Sequence, residues 1–373
     1  MTAMVRGSLG MAALLLVALH TPQLAAQSPH PWQGKGAVPK NVATQIAEPA
    51  DRATRAQAVA MVGLTVSDMD RSVAFYTNVL DFEKVTDDEV GGAAYDTLQH
   101  LTGTRLRVVR LRLGDEYLQL SQYLTPRGRA APADARSNDR WFQHVAVIVS
   151  DMDSAYARLR RFKVQEVSAG PQRLPKTIPN AAGIRAFYFR DPDGHPLEVL
   201  QFPPDKGDPK WHSGSDRLFL GIDHTAIVVR DTKTSLAFYR DVLGFRVAGE
   251  STNFGTEQER LNSVPGARLH ITGLRAPSGP GIEFLEYLNP RSGRAYPADE
   301  RPNDLVHWQT TVLVPDVAAA AQVIKRGQFR LVSSTPVTLP DTALGFQRGL
   351  LVRDPDGHVL QLVETQGEVH AQH

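Results

Sequence analysis

The sequence predicts an α+β protein made of four copies of one βαβββ module, and three observations carry that prediction. The stretch RDPDGHPLEVLQF at 190–202 returns as VRDPDGHVLQLVE at 352–364. The opening MVGLTVSDMDRSVAFYTNVLDF at 61–82 returns as HTAIVVRDTKTSLAFYRDVLGF at 224–245. Weaker versions of that opening start at His144 (HVAVIVSDMDSAYARLRRF) and at Gln309 (QTTVLVPDVAAAAQVIKRGQF). Such repetition is the signature of duplicated supersecondary units.

Each opening reads as an apolar strand, an Asp, and a short amphipathic helix. Asp68 and Asp231 stand where a side-chain oxygen can accept from free helix N–H groups. Phe75, Tyr76 and Leu80, like Phe238, Tyr239 and Leu243, fall on one helical stripe, which is the mark of core packing. The later runs RLRVVRLRLGDEYLQLSQYL, RAFYFRDPDGHPLEVLQF, RLHITGLRAPSGPGIEFLEYL and RGLLVRDPDGHVLQLVE each hold a turn signal between two β-rich halves, which predicts hairpins. The modules then span about 58–126, 139–203, 218–290 and 304–365. His195 and His358, inside D-P-D-G-H, read as structural turn residues.

The remaining sequence frames these modules. The 373 residues are 42% hydrophobic and 22% charged, an ordinary globular balance with room for two domains. A net charge of +1, with both signs interleaved, offers no basic field for nucleic acid and no polybasic membrane patch. The absence of cysteine excludes disulfides and thiolate ligands. Residues 1–26 combine Arg6, the apolar run Leu9–Leu19 and the small-residue site LAAQ, the pattern of a signal peptide cleaved after Ala26. The expectation is a periplasmic or secreted protein, free of the membrane after cleavage and of mature net charge +1 − 1 = 0. Residues 27–55 read as a linker or loosely packed arm, 56–203 as a first two-module domain, and 204–217 as an inter-domain linker. Residues 218–366 form a second domain and 367–373 a tail.

Four βαβββ modules with D-P-D-G-x-x-x-[EQ] hairpins resemble the vicinal oxygen chelate superfamily: glyoxalase I, the extradiol dioxygenases, methylmalonyl-CoA epimerase, and the fosfomycin- and bleomycin-resistance proteins. The resemblance covers nearly the whole mature chain. It implies that paired modules form half-open mixed β-barrels, and that each module offers one residue from its first strand and one from its last to a divalent metal. Counting back seven residues from the Asp after each first strand places those positions at Met61, His144, His224 and Gln309. On the last strands they fall at Gln119, Glu198, Glu283 and Gln361.

The set is lopsided. Modules two and three carry His144, Glu198, His224 and Glu283, good donors for Mn, Fe, Co, Ni or Zn, whereas amides and a thioether serve these metals poorly. Ligand economy favours pairing modules two with three and one with four, as in single-chain glyoxalase I, over pairing one with two and three with four. A metal so held would polarise a carbonyl or enediolate. By the resemblance, Glu198 or Glu283 could leave it and act as general base.

The bland alternatives are strand glutamates facing solvent and satisfied core histidines. The leading expectation is an exported lyase, isomerase or epimerase that chelates two neighbouring oxygens of a small substrate, as monomer or homodimer. A second is a ring-cleaving dioxygenase using Fe(II), with a subset of that set or with His307 joining His224 and Glu283. A third is a metal-free binding or resistance-type protein. Arg185, Arg190 and Tyr188 flank the strands nearby, with anion binding and plain surface solvation as alternatives.

Overall fold

The computed structural model describes residues 52–364. The expected signal peptide, residues 27–51 of the expected arm and residues 365–373, with the expected tail, lie outside the described residues. Module one runs β1 (Ala58–Thr65), α1 (Met69–Leu80), β2 (Glu83–Gly91), α2 (Ala93–Gln99), β3 (Arg105–Leu113) and β4 (Glu116–Thr125). Module two has β5 (Gln143–Val149), α3 (Met152–Arg161), the short β6 (Gln165–Glu166) and β7 (Gln172–Arg173), then β8 (Arg185–Arg190) and β9 (Pro196–Gln201). Module three has β10 (Phe219–Val229), α4 (Thr232–Leu236) continued by a π turn over Ala237–Val242, β11 (Arg246–Phe254), α5 (Thr256–Asn262), β12 (Arg268–Arg275) and β13 (Gly281–Asn289). Module four has β14 (Trp308–Leu313), α6 (Val317–Arg326), β15 (Arg330–Leu331), β16 (Val337–Thr338), β17 (Arg348–Arg353) and β18 (Val359–Glu364).

The repeated residues have repeated jobs. Asp68, Asp151, Asp231 and Asp316 each accept a backbone N–H from the first turn of the helix that follows. In the D-P-D-G-H turns, Asp191 Oδ1 accepts from the backbone N–H groups of Asp193 and His195, both at 2.9 Å, and its Oδ2 lies 2.8 Å from His195 Nδ1. Asp354 repeats this with Asp356 and His358. These two histidines are therefore buried braces of the hairpin.

Strand pairing crosses the duplication. The first nine-stranded sheet runs β15-β17-β18-β14-β1-β4-β3-β2, with β16 on β17, and unites modules one and four. The second runs β11-β12-β13-β10-β5-β9-β8-β6, with β7 on β8, and unites modules two and three. Neither closes; each is a half-open trough. Helix packing follows the sequence instead. Helices α1 and α3 share one apolar core that includes Tyr76, Leu80, Met152 and Leu159. The Tyr76 hydroxyl donates to Asp191 across modules one and two, and Tyr239 to Asp354 across three and four.

The two module-joining segments, 126–142 and 290–307, grip each other. Arg129 Nη2 lies 2.6 Å from Asp304 Oδ2, and Arg294 Nη2 lies 2.6 Å from Asp139 Oδ2. The close approach needs glycine: a Cβ on Gly128 would stand 1.8 Å from the Asn303 carbonyl, and one on Gly293 1.8 Å from that of Asn138.

Candidate metal centre

Strands β5 and β10 lie antiparallel at the centre of the second sheet, with His144 opposite Ala226 and His224 opposite Ala146. Their parallel outer neighbours place Glu198 of β9 beside Ala146 and Glu283 of β13 beside Ala226. The β pleat then puts all four side chains on one face, related by the duplication. His144, Glu198 and His224 each offer a ligand atom within 4.8 Å of the others. His224 Nε2 is 3.7 Å from Glu198 Oε2 and 3.6 Å from Glu283 Oε2. His144 Nε2 is 3.1 Å from Glu198 Oε2, but off the angle of a hydrogen bond.

The cluster is buried, and it is unsatisfied. Among the described residues, both ring nitrogens of His144 and Nε2 of His224 lack a hydrogen-bond partner, a costly state unless a cation or proton occupies the gap. Burial holds His144 below the usual imidazole range. Burial also opposes charge on His224, yet Glu283, Asp223 and Glu198 outweigh it and push its pKa up to about 9. Glu283 is pushed up to about 7 by burial, partly offset by His224 and reinforced by Glu198 and Asp223. Two imidazoles and two carboxylates with orphaned donors fit a divalent ion of the borderline kind.

The sequence does not single out what supports this set. Asp223 Oδ2 lies 2.9 Å from His224 Nδ1, while its Oδ1 accepts from Arg275 at 2.9 Å and Trp211 at 3.4 Å. Strict strand alternation would send neighbours Asp223 and His224 to opposite faces. A bulge between Ile222 and His224 breaks that alternation. His144 has Gln143 at the matching place, and that amide donates instead to Thr225 Oγ1 at 2.9 Å and Thr310 Oγ1 at 3.5 Å, bridging the two sheets.

Glu198, His224 and Glu283 line a narrow cleft walled by Leu174, Ile184, Leu200, Phe202, Leu261 and Ile271. Tyr188, Asn253 and Gln258 also line it. The Tyr188 and His144 rings stand 4.8 Å apart. Arg185 points away, paired with Asp153 at 2.5 Å, and Arg190 donates to the Gly194 and Ala135 carbonyls.

The first sheet carries the equivalent positions without the donors. Gly63 lies opposite Gln309 and Met61 opposite Thr311, with Gln119 and Gln361 on the flanking strands. Gln309 Nε2 donates to Gln361 Oε1 at 3.0 Å. The proposed Fe(II) triad of His224, Glu283 and His307 does not form. Modules three and four do not share a sheet, so His307, the residue before β14, sits beside the first sheet, its Nδ1 2.7 Å from Glu300 Oε1 and Glu300 paired in turn with Arg353.

A family model described as Glyoxalase/Bleomycin resistance protein/Dioxygenase superfamily matches residues 58–199 and again 221–362. Among curated proteins, the chain is 33% identical over 153 residues to a 2-epi-5-epi-valiolone epimerase from Actinomyces sp, covering 40% of this chain and 81% of that protein. Among solved structures, glyoxalase I from Zea mays superposes with a TM-score of 0.53 at 15% identity, over 82% of this chain and 92% of that one. A dioxygenase-like protein from Bacillus subtilis gives 0.51 at 12% identity, over 84% and 86%. At these identities the structural likeness concerns the fold.

Proposed function

The chain belongs to the glyoxalase/bleomycin resistance protein/dioxygenase superfamily, and from that premise we propose that it is a metal-dependent epimerase or isomerase of a small, oxygen-rich substrate. The observation that carries this reading is the convergence of His144, Glu198, His224 and Glu283, with three orphaned ring nitrogens, beside an apolar cleft. A divalent metal held by these four would polarise a substrate carbonyl and acidify the neighbouring C–H.

The rest falls to the chain itself. Epimerisation removes a proton from one face of a carbon and returns one to the other, which needs a proton carrier on each side. Glu198 and Glu283 come from duplicated modules on opposite flanks of the β5–β10 pair, and so meet that need. Glu283, held near neutrality by burial, is matched to taking a proton and giving it back. Tyr188, Asn253 and Gln258 offer polar contacts to substrate oxygens, and the leucine and phenylalanine walls exclude water. The relative's name supports starting with 2-epi-5-epi-valiolone and similar cyclic polyhydroxy ketones. The N-terminal pattern supports action outside the cytoplasm.

The test joins metal content with isotope exchange. Elemental mass spectrometry should find about one equivalent of Mn, Fe, Co, Ni or Zn, lost in Glu198→Gln/Glu283→Gln. In heavy water, the loaded wild type should place deuterium beside the ketone carbonyl and the variant should not. No metal after reconstitution would overturn the enzyme reading in favour of a binding protein. The closest three donors, two histidines and one carboxylate, also favour an Fe(II) dioxygenase as second reading; oxygen uptake with a catechol would select it.

A further inference from the structure

Three arginines converge at the C-terminal ends of β10 and β13, beyond His224 and Glu283 on the same strands. Arg140, Arg230 and Arg291 line a cavity of about 180 Å³ together with Asn138, Tyr287 and Gly293, and no carboxylate is among its lining residues. The carboxylates that border it are engaged elsewhere. Asp356 Oδ2 accepts from the Arg230 backbone N–H at 2.9 Å, Glu286 Oε2 accepts from that of Thr232 at 3.0 Å, and Asp231 caps α4. The other oxygens of Asp356 and Glu286 stop 3.7 Å from Arg140 Nη1 and 4.0 Å from Arg291 Nη2, too far for hydrogen bonds. Among the described residues, the Arg230 guanidinium makes no hydrogen bond and no ion pair.

The duplication shows that the fold does not demand these arginines. Ser67 and Arg230 are matching residues, each donating its backbone N–H to the second aspartate of a D-P-D-G turn, Asp193 or Asp356. Leu305 and Arg140 match likewise, through backbone N–H bonds to the carbonyls of Arg129 and Arg294. The first copy thus builds the same corner with a hydroxyl and an apolar side chain where the second sets two guanidinium groups. Asn138 also departs from its counterpart. Asn303 donates its amide to the Pro126 carbonyl at 3.0 Å, whereas Asn138 makes no such bond among the described residues. Asn138 is 3% exposed, and its Oδ1 has no partner. A half-turn of that amide presents N–H to the cavity.

We propose that this cavity binds a small oxyanion of the phosphate class. Like charges gathered round one space repel each other, and a shared anion removes that cost. Planar N–H forks match the oxygens of phosphate in pairs, and three cations favour a dianion over a lone carboxylate. The volume accommodates a tetrahedral oxyanion, and the exposed Arg230 and Arg291 leave an open mouth with room for the remainder of a monoester. The proposal does not rest on the reaction at the metal centre.

The experiment is calorimetric titration of the full-length protein with inorganic phosphate and with glycerol phosphate, at low ionic strength and slightly alkaline pH. Saturable binding that weakens as chloride is added is expected. Arg230→Ser should weaken it by about tenfold, the loss of one charge-assisted contact. Arg230→Ser/Arg140→Leu, which copies the matching residues of the first half, should abolish it. Should that pair fail to fold, Arg230→Ser, which removes no hydrogen bond or ion pair of the guanidinium, decides alone. Glu198→Gln/Glu283→Gln should leave the affinity unchanged, which separates this site from phosphate held at the metal centre. Binding of both ligands assigns the site to a monoester headgroup and binding of inorganic phosphate alone to the free ion; either upholds the proposal. No saturable binding, affinity unchanged in Arg230→Ser, or loss in the glutamate variant would each overturn it.

Discussion

Asp223→Asn should weaken metal binding far more than it weakens the fold. Asp223 is 2% exposed and receives three groups: His224 Nδ1 at 2.9 Å, Arg275 at 2.9 Å and Trp211 at 3.4 Å. Its carboxylate accepts from Nδ1–H, so that once a metal displaces the Nε2 proton the lone pair faces the space bordered by Glu198 and Glu283. An asparagine amide loses the charge and can present N–H to Nδ1, turning the imidazole to the wrong tautomer. A hydrogen bond to a charged partner contributes about 1.5–3 kcal/mol, which corresponds to roughly 10- to 150-fold in dissociation constant. That overlaps the losses of about 10- to 100-fold typical when a ligand's supporting partner is removed. The assay is competition against a chromogenic chelator at neutral pH, with thermal melts in excess chelator run in parallel. A folded variant whose metal affinity stays within about twofold of wild type, below the smallest loss expected for such a partner, would refute this account of how His224 is aimed.

Other outcomes follow from the same geometry. In the metal-free protein, Glu283 is pushed up to about 7 from 4.5 and His224 to about 9 from 6.5, so the folded chain binds more protons than the unfolded one and stability should fall as pH rises through that window. Metal must displace those protons, so its affinity should rise over the same window; melts with and without metal check both signs, and a metal-free protein that gains stability between about pH 6 and 9 contradicts them. Tyr76→Phe removes the hydroxyl that donates to buried Asp191 at 3.1 Å and should cost about 1–2 kcal/mol in denaturant unfolding with metal content unchanged. Gly293→Ala drives a Cβ to 1.8 Å from the Asn138 carbonyl and should cost about 1–3 kcal/mol or more. An alanine variant that melts like wild type would show that the joining segments part freely.

Much of this architecture was legible because duplication prints it twice. The Asp caps, the D-P-D-G-H braces and the strand glutamates could be placed by comparing one copy with another. Pairing across the duplication was legible only through chemistry: His144 and Glu198 make sense beside His224 and Glu283, and glutamines make sense together. What stayed hidden depends on departures from regular geometry. The bulge that lets Asp223 reach His224 leaves no mark in the residue pattern, and His307 looked available because sequence proximity stood in for a shared sheet. Tyr76 and Tyr239 read as core aromatics, and they are buried; that each also holds the aspartate of the next module could not be read from a helical stripe.

The crossed strand pairing also sets an order for synthesis. Chain delivered N-terminus first can complete the His144–Glu198–His224–Glu283 trough once residues up to β13 are free to fold, before module four has followed. Strand β1, made earliest, must wait for β14, at Trp308–Leu313, to cover its open edge. Contacts of that sequence separation form slowly, and an uncovered strand edge is an invitation to another chain. The oldest module is thus the last to be partnered, and the interval before the fourth module arrives is when the nascent protein is most exposed to misassembly.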